Sequence, residues 1–354
     1  MTIYILGWVF YSLFLFLSSW RSKNKRKLLL IGTAIFVFCM FGLRSFEVGT
    51  DTLAYKRYFE LYKEYSLKDL LFYTYWFKDM EPGYVIICKV VLLFTQNAEI
   101  FLKIIAIIFS ALFVSFLSRL EEDEIYWCAF TYYGLYTLCT GLNIMRQGIA
   151  MLIIMHAYLA YKKGKMKKVI LLCFMAFFIH MSSILASAVL IPFTIIKNRI
   201  ETNKYLKWVL VLGVFLCCFL YRYVFQWLGI LGYLNRNAEI GTTILIMMCY
   251  LYIILMLTKR AYIQKDELFN FYFLETIIII LIIMNFMSVI SPVFTRLTTL
   301  LIIFASFIPG KIKKSGLSVN LKFIVSAVTY ILVSIYFFRS LLSNIGGIVP
   351  FTFM

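Results

Sequence analysis

The sequence predicts an all-α, polytopic integral membrane protein, and three observations support this prediction. Apolar residues make up 63% of the 354 residues, whereas soluble globular chains contain about 45–50%. The mean hydropathy is +0.89. Apolar runs long enough for a spanning helix recur between short charged segments from residue 3 to residue 338. We therefore expect a single transmembrane domain over 1–354 without a separate soluble domain.

The distribution of charge supports the same class. A net charge of +18, from 35 Lys and Arg against 17 Asp and Glu, could by itself indicate a nucleic-acid partner. However, 21 of the 35 basic residues lie in five clusters between apolar runs, as they do in the cytoplasmic loops of membrane proteins. The five clusters are Arg21–Lys27, Lys162–Lys168, Lys197–Lys207, Lys259–Lys265 and Lys311–Lys322. We expect no nucleic-acid partner.

The first two predicted spans, 3–19 and 28–43, flank the first basic cluster. The N-terminal run lacks a preceding basic region and a small-residue cleavage site, so we interpret it as a span and not as a signal peptide. With the cluster in the cytoplasm, Arg44 lies at the outer surface. The stretch 44–81 carries six basic and seven acidic residues and is too long for a simple connection. We predict a long external loop here that is partly helical.

Counting crossings gives the next part of the topology. If every basic cluster is cytoplasmic, an even number of crossings separates each pair, yet four apolar runs lie between the external loop and the second cluster. The run 84–94 has only eleven residues and carries Lys89, so we predict a short re-entrant or surface helix that returns to the outer side. The three remaining runs cross the membrane and leave 143–147 outside. They are 98–118, 125–141 and 148–161.

The stretch 169–196 raises the same question. One long tilted span would place the third basic cluster outside, whereas two short helices broken near His180 keep it inside. The later runs alternate without conflict and leave the C-terminus outside. They are 208–227, 241–258, 270–290, 297–309 and 321–338. The prediction is about twelve transmembrane helices plus the short re-entrant helix.

Four isolated residues are candidates for function, because a central Arg costs about 2.5–3.5 kcal/mol to insert into a membrane. They are Arg44, Arg146, His180 and Arg296, and the predicted topology places all four at the outer face. A guanidinium donates paired hydrogen bonds and stays protonated, so several together suit a lipid diphosphate. His180 has the chemistry to take a proton from an attacking hydroxyl. The structural alternatives are arginines that snorkel at span ends and a histidine that packs between helices.

Two motifs of the external loop admit both structural and chemical explanations. Asp51, followed by Tyr55, is placed to cap a helix, and capping alone would explain it. Glu81-Pro82-Gly83 begins the short helix, where Pro suits the first turn and Glu favours the helix dipole. No carboxylate pair or His cluster occurs at ligand spacing, although Asp51 and Glu81 could meet in space. We predict a metal-independent site without a cofactor.

The order of the motifs along the chain is informative. It runs Arg44, Gly49-Thr50-Asp51, Tyr55, Glu81-Pro82-Gly83, Asn143, Arg146-Gln147, Phe178-Ile179-His180-Met181-Ser182, Arg296 and Pro350-Phe351. This order resembles the EpsG-like family of bacterial polysaccharide polymerases, which are Wzy-type enzymes, over nearly the whole chain. The terminal Pro350-Phe351 departs from the family's more usual Pro-Tyr.

The resemblance implies a multi-pass protein of the bacterial cytoplasmic (inner) membrane with its active site at the outer face. The implied reaction transfers a growing glycan from undecaprenyl diphosphate to the terminal sugar hydroxyl of an incoming undecaprenyl-diphosphate-linked repeat unit. Arg146 and Arg296 would then stabilise the leaving diphosphate, and His180 would be the base. The substrate-binding residues would be Arg44, Asp51, Tyr55, Glu81, Asn143 and Gln147. A flippase and a chain-length regulator are the expected partner proteins.

Three other functions fit the same residues. A glycan ligase of the O-antigen ligase type uses the same donor and leaving group with another acceptor. A transporter or flippase of lipid-linked oligosaccharide would bind the diphosphate without making bonds, and would need a substrate path to the inner face. A purely structural membrane component would tolerate replacement of Arg146, His180 and Arg296.

Overall fold

The computed structural model is built from helices. It describes residues 1–19, 24–70, 80–196, 200–227, 241–260 and 268–354. The α-helices are α1 Thr2–Phe16, α2 Lys25–Gly42, α3 Thr52–Leu61, α4 Leu67–Asp69, α5 Pro82–Leu92, α6 Ala98–Leu117, α7 Glu122–Gly134, α8 Thr137–Asn143, α9 Met145–Lys162, α10 Met166–Ile179, α11 Ile184–Ile195, α12 Ile200–Trp227, α13 Thr242–Arg260, α14 Leu268–Met287, α15 Pro292–Leu301, α16 Gly310–Lys314 and α17 Val319–Leu342. The predicted all-α class is confirmed.

Five segments of the described chain are long and apolar enough to cross a membrane. They are Ala98–Leu117, Thr242–Lys259, Leu268–Met287, Val293–Lys314 and Val319–Leu342. Shorter apolar helices, including α1 and α5, accompany them. The number of crossings, predicted as twelve, stays a prediction. The external loop 44–81 is partly helical, as expected, because α3 and α4 lie within it.

The predicted break near His180 is present. Helix α10 ends at Ile179, His180 is extended with φ −153° and ψ 109°, and α11 begins at Ile184 after a 3-10 turn over Met181–Ser183. The stretch 169–196 therefore forms two short helices and not one long one. The backbone changes direction at the residue that the sequence singled out.

The predicted short helix at 84–94 is α5, which spans 11 residues. Nζ of Lys89, in its last turn, donates a hydrogen bond of 2.6 Å to the carbonyl oxygen of Tyr62. Tyr62 directly follows α3 in the external loop, so this end of α5 is tied to the loop. Whether this helix lies at the surface, re-enters or crosses the membrane stays a prediction.

Two predicted spans are interrupted. The run 125–141 is divided into α7 and α8 at Tyr136, which has φ 62° in the left-handed region. The run 297–309 begins in α15 and continues as a 3-10 helix over Ile302–Phe307. Tyrosine rarely adopts a positive φ, so no sequence signal predicts the first break. The Tyr136 hydroxyl donates to the carbonyl of Ile345 at 3.4 Å, which ties the break to the C-terminal segment.

Three of the five basic clusters meet at one acidic turn, 121–124. The ion pairs are Lys25 and Arg26 with Glu122, Lys162 with Glu124, Lys313 with Asp123, and Lys314 with Glu121. Lys162 ends α9 and Arg146 stands near its start, so about 24 Å of helix separates them at 1.5 Å per residue. These three basic clusters therefore lie at the opposite end of α9 from Arg146.

The C-terminal segment runs back along the start of the external loop. The Ser45 amide donates to Thr352 at 2.8 Å, and the Met354 amide donates to Leu43 at 3.0 Å. These bonds form an isolated antiparallel bridge between Arg44 and Phe353. A few residues further along the loop, the Gly49 amide donates a 3.0 Å hydrogen bond to the carbonyl oxygen of Gly347. The Thr50 amide donates a 3.0 Å hydrogen bond to that of Gly346. The first and last motifs of the chain are thus neighbours.

Candidate functional site

The site is centred on the carboxylate of Glu81, which is 9% exposed. Its Oε2 accepts a hydrogen bond from Nη1 of Arg146 in an ion pair. Its Oε1 lies 2.9 Å from Nδ1 of His180 and accepts a 3.1 Å bond from the Met181 amide. One carboxylate therefore joins three motifs that lie 65 and 99 residues apart in sequence.

The backbone around Glu81 explains its position. Glu81 is extended at the N-cap of α5, and Pro82 occupies the first helical turn, where its missing N–H is not needed. A Cβ at Gly83 would lie 2.8 Å from the carbonyl oxygen of Phe178. Glycine thus allows the start of α5 to pack directly against the last turn of α10. This close approach brings Glu81 to His180, two residues beyond Phe178.

Arg146 is held between its acidic partner and two aromatic rings. Its guanidinium carbon lies 5.7 Å from the ring centroid of Tyr55 and 5.9 Å from that of Tyr84, within the range of a cation–π contact. Its side chain remains 16% exposed. The hydrogen bond to Glu81 and the two rings hold the guanidinium in one orientation, and part of the side chain stays accessible.

The same contacts determine the charge of Glu81, which lies in the external loop. Burial raises its pKa, but the hydrogen bond from His180 and the charge of Arg146 outweigh burial, so the pKa falls from 4.5 to about 2. Glu81 is therefore ionised at neutral pH. Because an ionised carboxylate only accepts hydrogen bonds, Nδ1 of His180 must carry the proton in this contact. In the neutral imidazole, Nε2 then remains an acceptor.

Asn143 connects a second group of predicted residues beside this centre. Its Oδ1 accepts a 3.0 Å bond from the Asp51 amide, and its Nδ2 donates a 3.2 Å bond to the Thr50 hydroxyl. Gly49 has φ 95°, and a Cβ there would lie 2.9 Å from Asn143 Oδ1, so the turn requires glycine. Asp51 stands at the N-cap of α3, but its side chain makes no capping hydrogen bond. Capping by the carboxylate therefore does not explain Asp51.

Arg44 is fully buried, with 0% exposure. Its Nη1 donates to the carbonyl oxygen of Leu142, and its guanidinium carbon lies 5.5 Å from the ring centroid of Phe41. Because Leu142 precedes Asn143, this bond holds the end of α8. The buried location gives Arg44 a positioning contact and no open face toward a ligand.

Gln147 and Arg296 lie along the other side of the site. Nε2 of Gln147 donates a 2.5 Å hydrogen bond to the Thr299 hydroxyl, which itself donates a 2.6 Å bond to the carbonyl oxygen of Arg296. Helix α15, which carries Arg296, also packs against the 3-10 turn Met181–Ser183. The Arg296 side chain is exposed. The structure thus brings Arg296 to the same region without placing it in the Glu81 cluster.

Sequence reasoning did not identify some residues of the site. Tyr84 stands three residues after Glu81, so one helical turn places it beside Arg146, and this spacing was a usable signal. Thr299 had no signal, because its role depends on Gln147 in another helix. The pair Gly346-Gly347 is a turn signal, and a Cβ at Gly346 would lie 3.1 Å from Asn143 Nδ2.

In the part of the chain that the structure describes, no three His, Cys, Asp or Glu side chains gather closely enough to hold a metal ion. The polar centre consists of one carboxylate, one imidazole and one guanidinium in contact, with a second arginine nearby. Such a set can bind an anion, orient a histidine and move a proton.

Comparisons with curated proteins and with solved structures found no match. The family model of the EpsG family matches residues 27–353, a range that includes every residue of the site. Members of this family are Wzy-type polysaccharide polymerase-like proteins. With its helices long and apolar enough to cross a membrane more than once, the chain is a multi-pass membrane protein that belongs to the EpsG family.

Proposed function

We propose that this protein is a polysaccharide polymerase that transfers a growing glycan from undecaprenyl diphosphate to the terminal sugar hydroxyl of an incoming lipid-linked repeat unit. The observation that carries the proposal is the single carboxylate of Glu81 in contact with both Arg146 and His180. An anion-binding group and an oriented base are thereby fixed beside each other. Glycan transfer with a diphosphate leaving group needs both.

The diphosphate of the donor binds to Arg146 and Arg296 in this mechanism. Arginine suits the task because its planar fork donates two parallel hydrogen bonds to phosphate oxygens. Negative charge grows on the diphosphate as the glycosidic bond breaks, and fixed positive groups stabilise that charge. Glu81 and the rings of Tyr55 and Tyr84 hold Arg146 in place before the substrate arrives, so little reorganisation is needed.

The acceptor hydroxyl gives its proton to Nε2 of His180 as its oxygen attacks the anomeric carbon of the donor sugar. The new bond joins that carbon to the acceptor oxygen. The bond between the same carbon and the diphosphate oxygen breaks, and its electron pair stays on the diphosphate oxygen. Glu81 holds Nδ1–H and stabilises the imidazolium that forms. The products are a glycan that is longer by one repeat unit and stays on the acceptor's undecaprenyl diphosphate, and the free undecaprenyl diphosphate of the donor. The proton on His180 passes to solvent.

We assign the reaction to the outer face of the bacterial cytoplasmic membrane. Three basic clusters converge on the acidic turn 121–124, and clusters of this kind favour the cytoplasmic side. Arg146 lies at the opposite end of α9 from Lys162. A flippase that delivers lipid-linked units to the outer face and a chain-length regulator are the partners that this location implies.

The proposal is tested with purified protein and an undecaprenyl-diphosphate-linked repeat unit, with the products separated on a gel. We expect a ladder for the wild type and its loss in Arg146→Gln. Arg26→Gln is the matched control, because Arg26 pairs with Glu122 at the far end of the protein. Lipid-linked units that persist unchanged with the wild type would overturn the proposal. Transfer of the lipid-linked units from one leaflet of a proteoliposome membrane to the other would instead identify a transporter.

A further inference from the structure

A cavity of about 370 Å³ adjoins the site, within the range of about 300–1,000 Å³ that is usual for small-ligand pockets. It lies among the outer ends of α8, α13, α14, α15 and α17 under the predicted topology. Many of its lining residues carry a hydroxyl or an amide, including Thr137, Thr140, Asn285, Thr298 and Thr299, while most of the lining surface is apolar.

Two residues of this lining each carry one buried polar atom without a hydrogen-bond partner among the described residues: Oδ1 of Asn285 and the hydroxyl oxygen of Thr137. The two residues are 3% and 2% exposed. A buried polar atom without a partner is costly, and native proteins rarely keep one without a reason. The Asn285 amide nitrogen donates a 3.4 Å hydrogen bond to the carbonyl oxygen of Gly241, and Oδ1 of the same side chain keeps an unused acceptor beside the cavity.

The lining favours an uncharged occupant with many hydroxyls. Among the described residues of the lining, Arg339 is the one charged side chain and there is no carboxylate. A diphosphate would need several cations, whereas a sugar needs donors, acceptors and an aromatic face. The rings of Tyr136 and Tyr336 line the cavity and supply such faces. The chemistry of the cavity matches a sugar, which has both apolar faces and hydroxyls, better than it matches a phosphate.

The cavity also lies next to the anion-binding residue. Thr299 lines it and accepts the 2.5 Å hydrogen bond from Gln147, the residue that follows Arg146. A sugar in the cavity would therefore be close to a diphosphate held by Arg146. We propose that the cavity binds the sugar residues attached directly to that diphosphate, so that the protein recognises both the sugars and the diphosphate of a donor lipid. This inference rests on the proposed function and extends it to substrate recognition.

Two lipids distinguish binding of the sugars from binding of the diphosphate. One is the undecaprenyl-diphosphate-linked repeat unit extracted from the source organism, and the other is undecaprenyl diphosphate without sugars. Binding of each is measured by titration calorimetry in detergent. For Thr137→Val and Asn285→Leu we expect binding of the sugar-bearing lipid to weaken about tenfold, with binding of the bare lipid within about twofold of wild type. Thr258→Val is the matched control, since the Thr258 hydroxyl bonds to Ile254 in α13 and lies outside the cavity.

An equal loss of affinity for both lipids, or no loss of affinity for either, would overturn the assignment of the cavity to sugar binding. Thermal unfolding identifies a variant that fails to fold. If Asn285→Leu fails, the affinities of Thr137→Val, which keeps the shape of the side chain, test the assignment. The outcome is separable from the polymerase proposal. Selective loss of sugar binding without a polymer ladder would keep the cavity and remove the polymerase, whereas a ladder with unchanged binding in both variants would do the reverse.

Discussion

Nδ1 of His180 lies 2.9 Å from Oε1 of Glu81, and the other oxygen of the same carboxylate accepts a hydrogen bond from Arg146. The contact with Glu81 sets the tautomer of the imidazole. It also couples the base to the anion-binding residue, because a movement of Glu81 would displace both. The arrangement explains why a Glu at the start of a short helix accompanies a His from a helix break and an Arg from another helix.

Glu81→Gln removes the charge and keeps nearly the same shape. We expect the polymerisation rate to fall by about 10²–10⁴-fold, because the amide no longer favours the productive tautomer of His180 or stabilises its cation. The rate is measured per folded molecule with saturating lipid-linked units. Glu275→Gln is the matched control, since Glu275 is also buried and pairs with Lys207 and Lys259 elsewhere. A similar rate loss in both variants would contradict the assignment.

The pH dependence of stability follows from the lowered pKa of Glu81, about 2 against the ordinary 4.5. Stabilisation by ionised Glu81 is fully present above the ordinary value and is lost as pH falls through about 2. We expect the difference in unfolding temperature between wild type and Glu81→Gln in detergent to be constant above about pH 5 and to shrink below pH 4.5. A difference that already shrinks between pH 8 and pH 6 would disagree with an ionised, paired carboxylate.

Gly83→Ala tests the packing that brings the short helix to His180. The added Cβ would meet the Phe178 carbonyl at 2.8 Å, so we expect a loss of about 1–3 kcal/mol in the free energy of unfolding. We also expect a loss of activity, because Glu81 moves away from His180. Gly213→Ala is the matched control, as a Cβ there meets no atom within 4 Å. Normal activity in Gly83→Ala would show that the close approach is not required.

Asn143→Ala tests whether Asn143 positions the external loop. It removes the bonds to the Asp51 amide and the Thr50 hydroxyl, each worth about 0.5–1.5 kcal/mol. We expect faster amide hydrogen exchange over 49–61 and lower activity. If activity is lost while exchange stays at the wild-type rate, Asn143 acts on the substrate directly and not through the loop.

Much of the fold could be predicted from the sequence, because membrane physics restricts it strongly. The break at His180 followed from the basic clusters, since a single long helix would have placed one of them on the wrong side. The short helix α5 followed from its length. The left-handed conformation of Tyr136 could not be predicted from the sequence, because the residue contacts the C-terminal segment at Ile345, which is 209 residues away along the chain.

The candidate site was predicted only in part. The isolated charges were visible because charge is rare in apolar helices, and His180 and Arg146 contact the same carboxylate. Glu81 was predicted as a substrate-binding residue, but its pairing with both side chains was not, because its position depends on the packing of Gly83 against Phe178. The orientation of Arg44 was equally hidden, since the end of a span can face either a ligand or the interior.

The most direct test of the central claim is the stoichiometry of the reaction. Purified protein is given the undecaprenyl-diphosphate-linked repeat unit, and released undecaprenyl diphosphate is counted against new glycosidic bonds by mass spectrometry, for wild type and His180→Gln. The account predicts one lipid released per bond formed by the wild type, with both products reduced together in the variant. Release without bond formation, or neither product from the wild type, would contradict it.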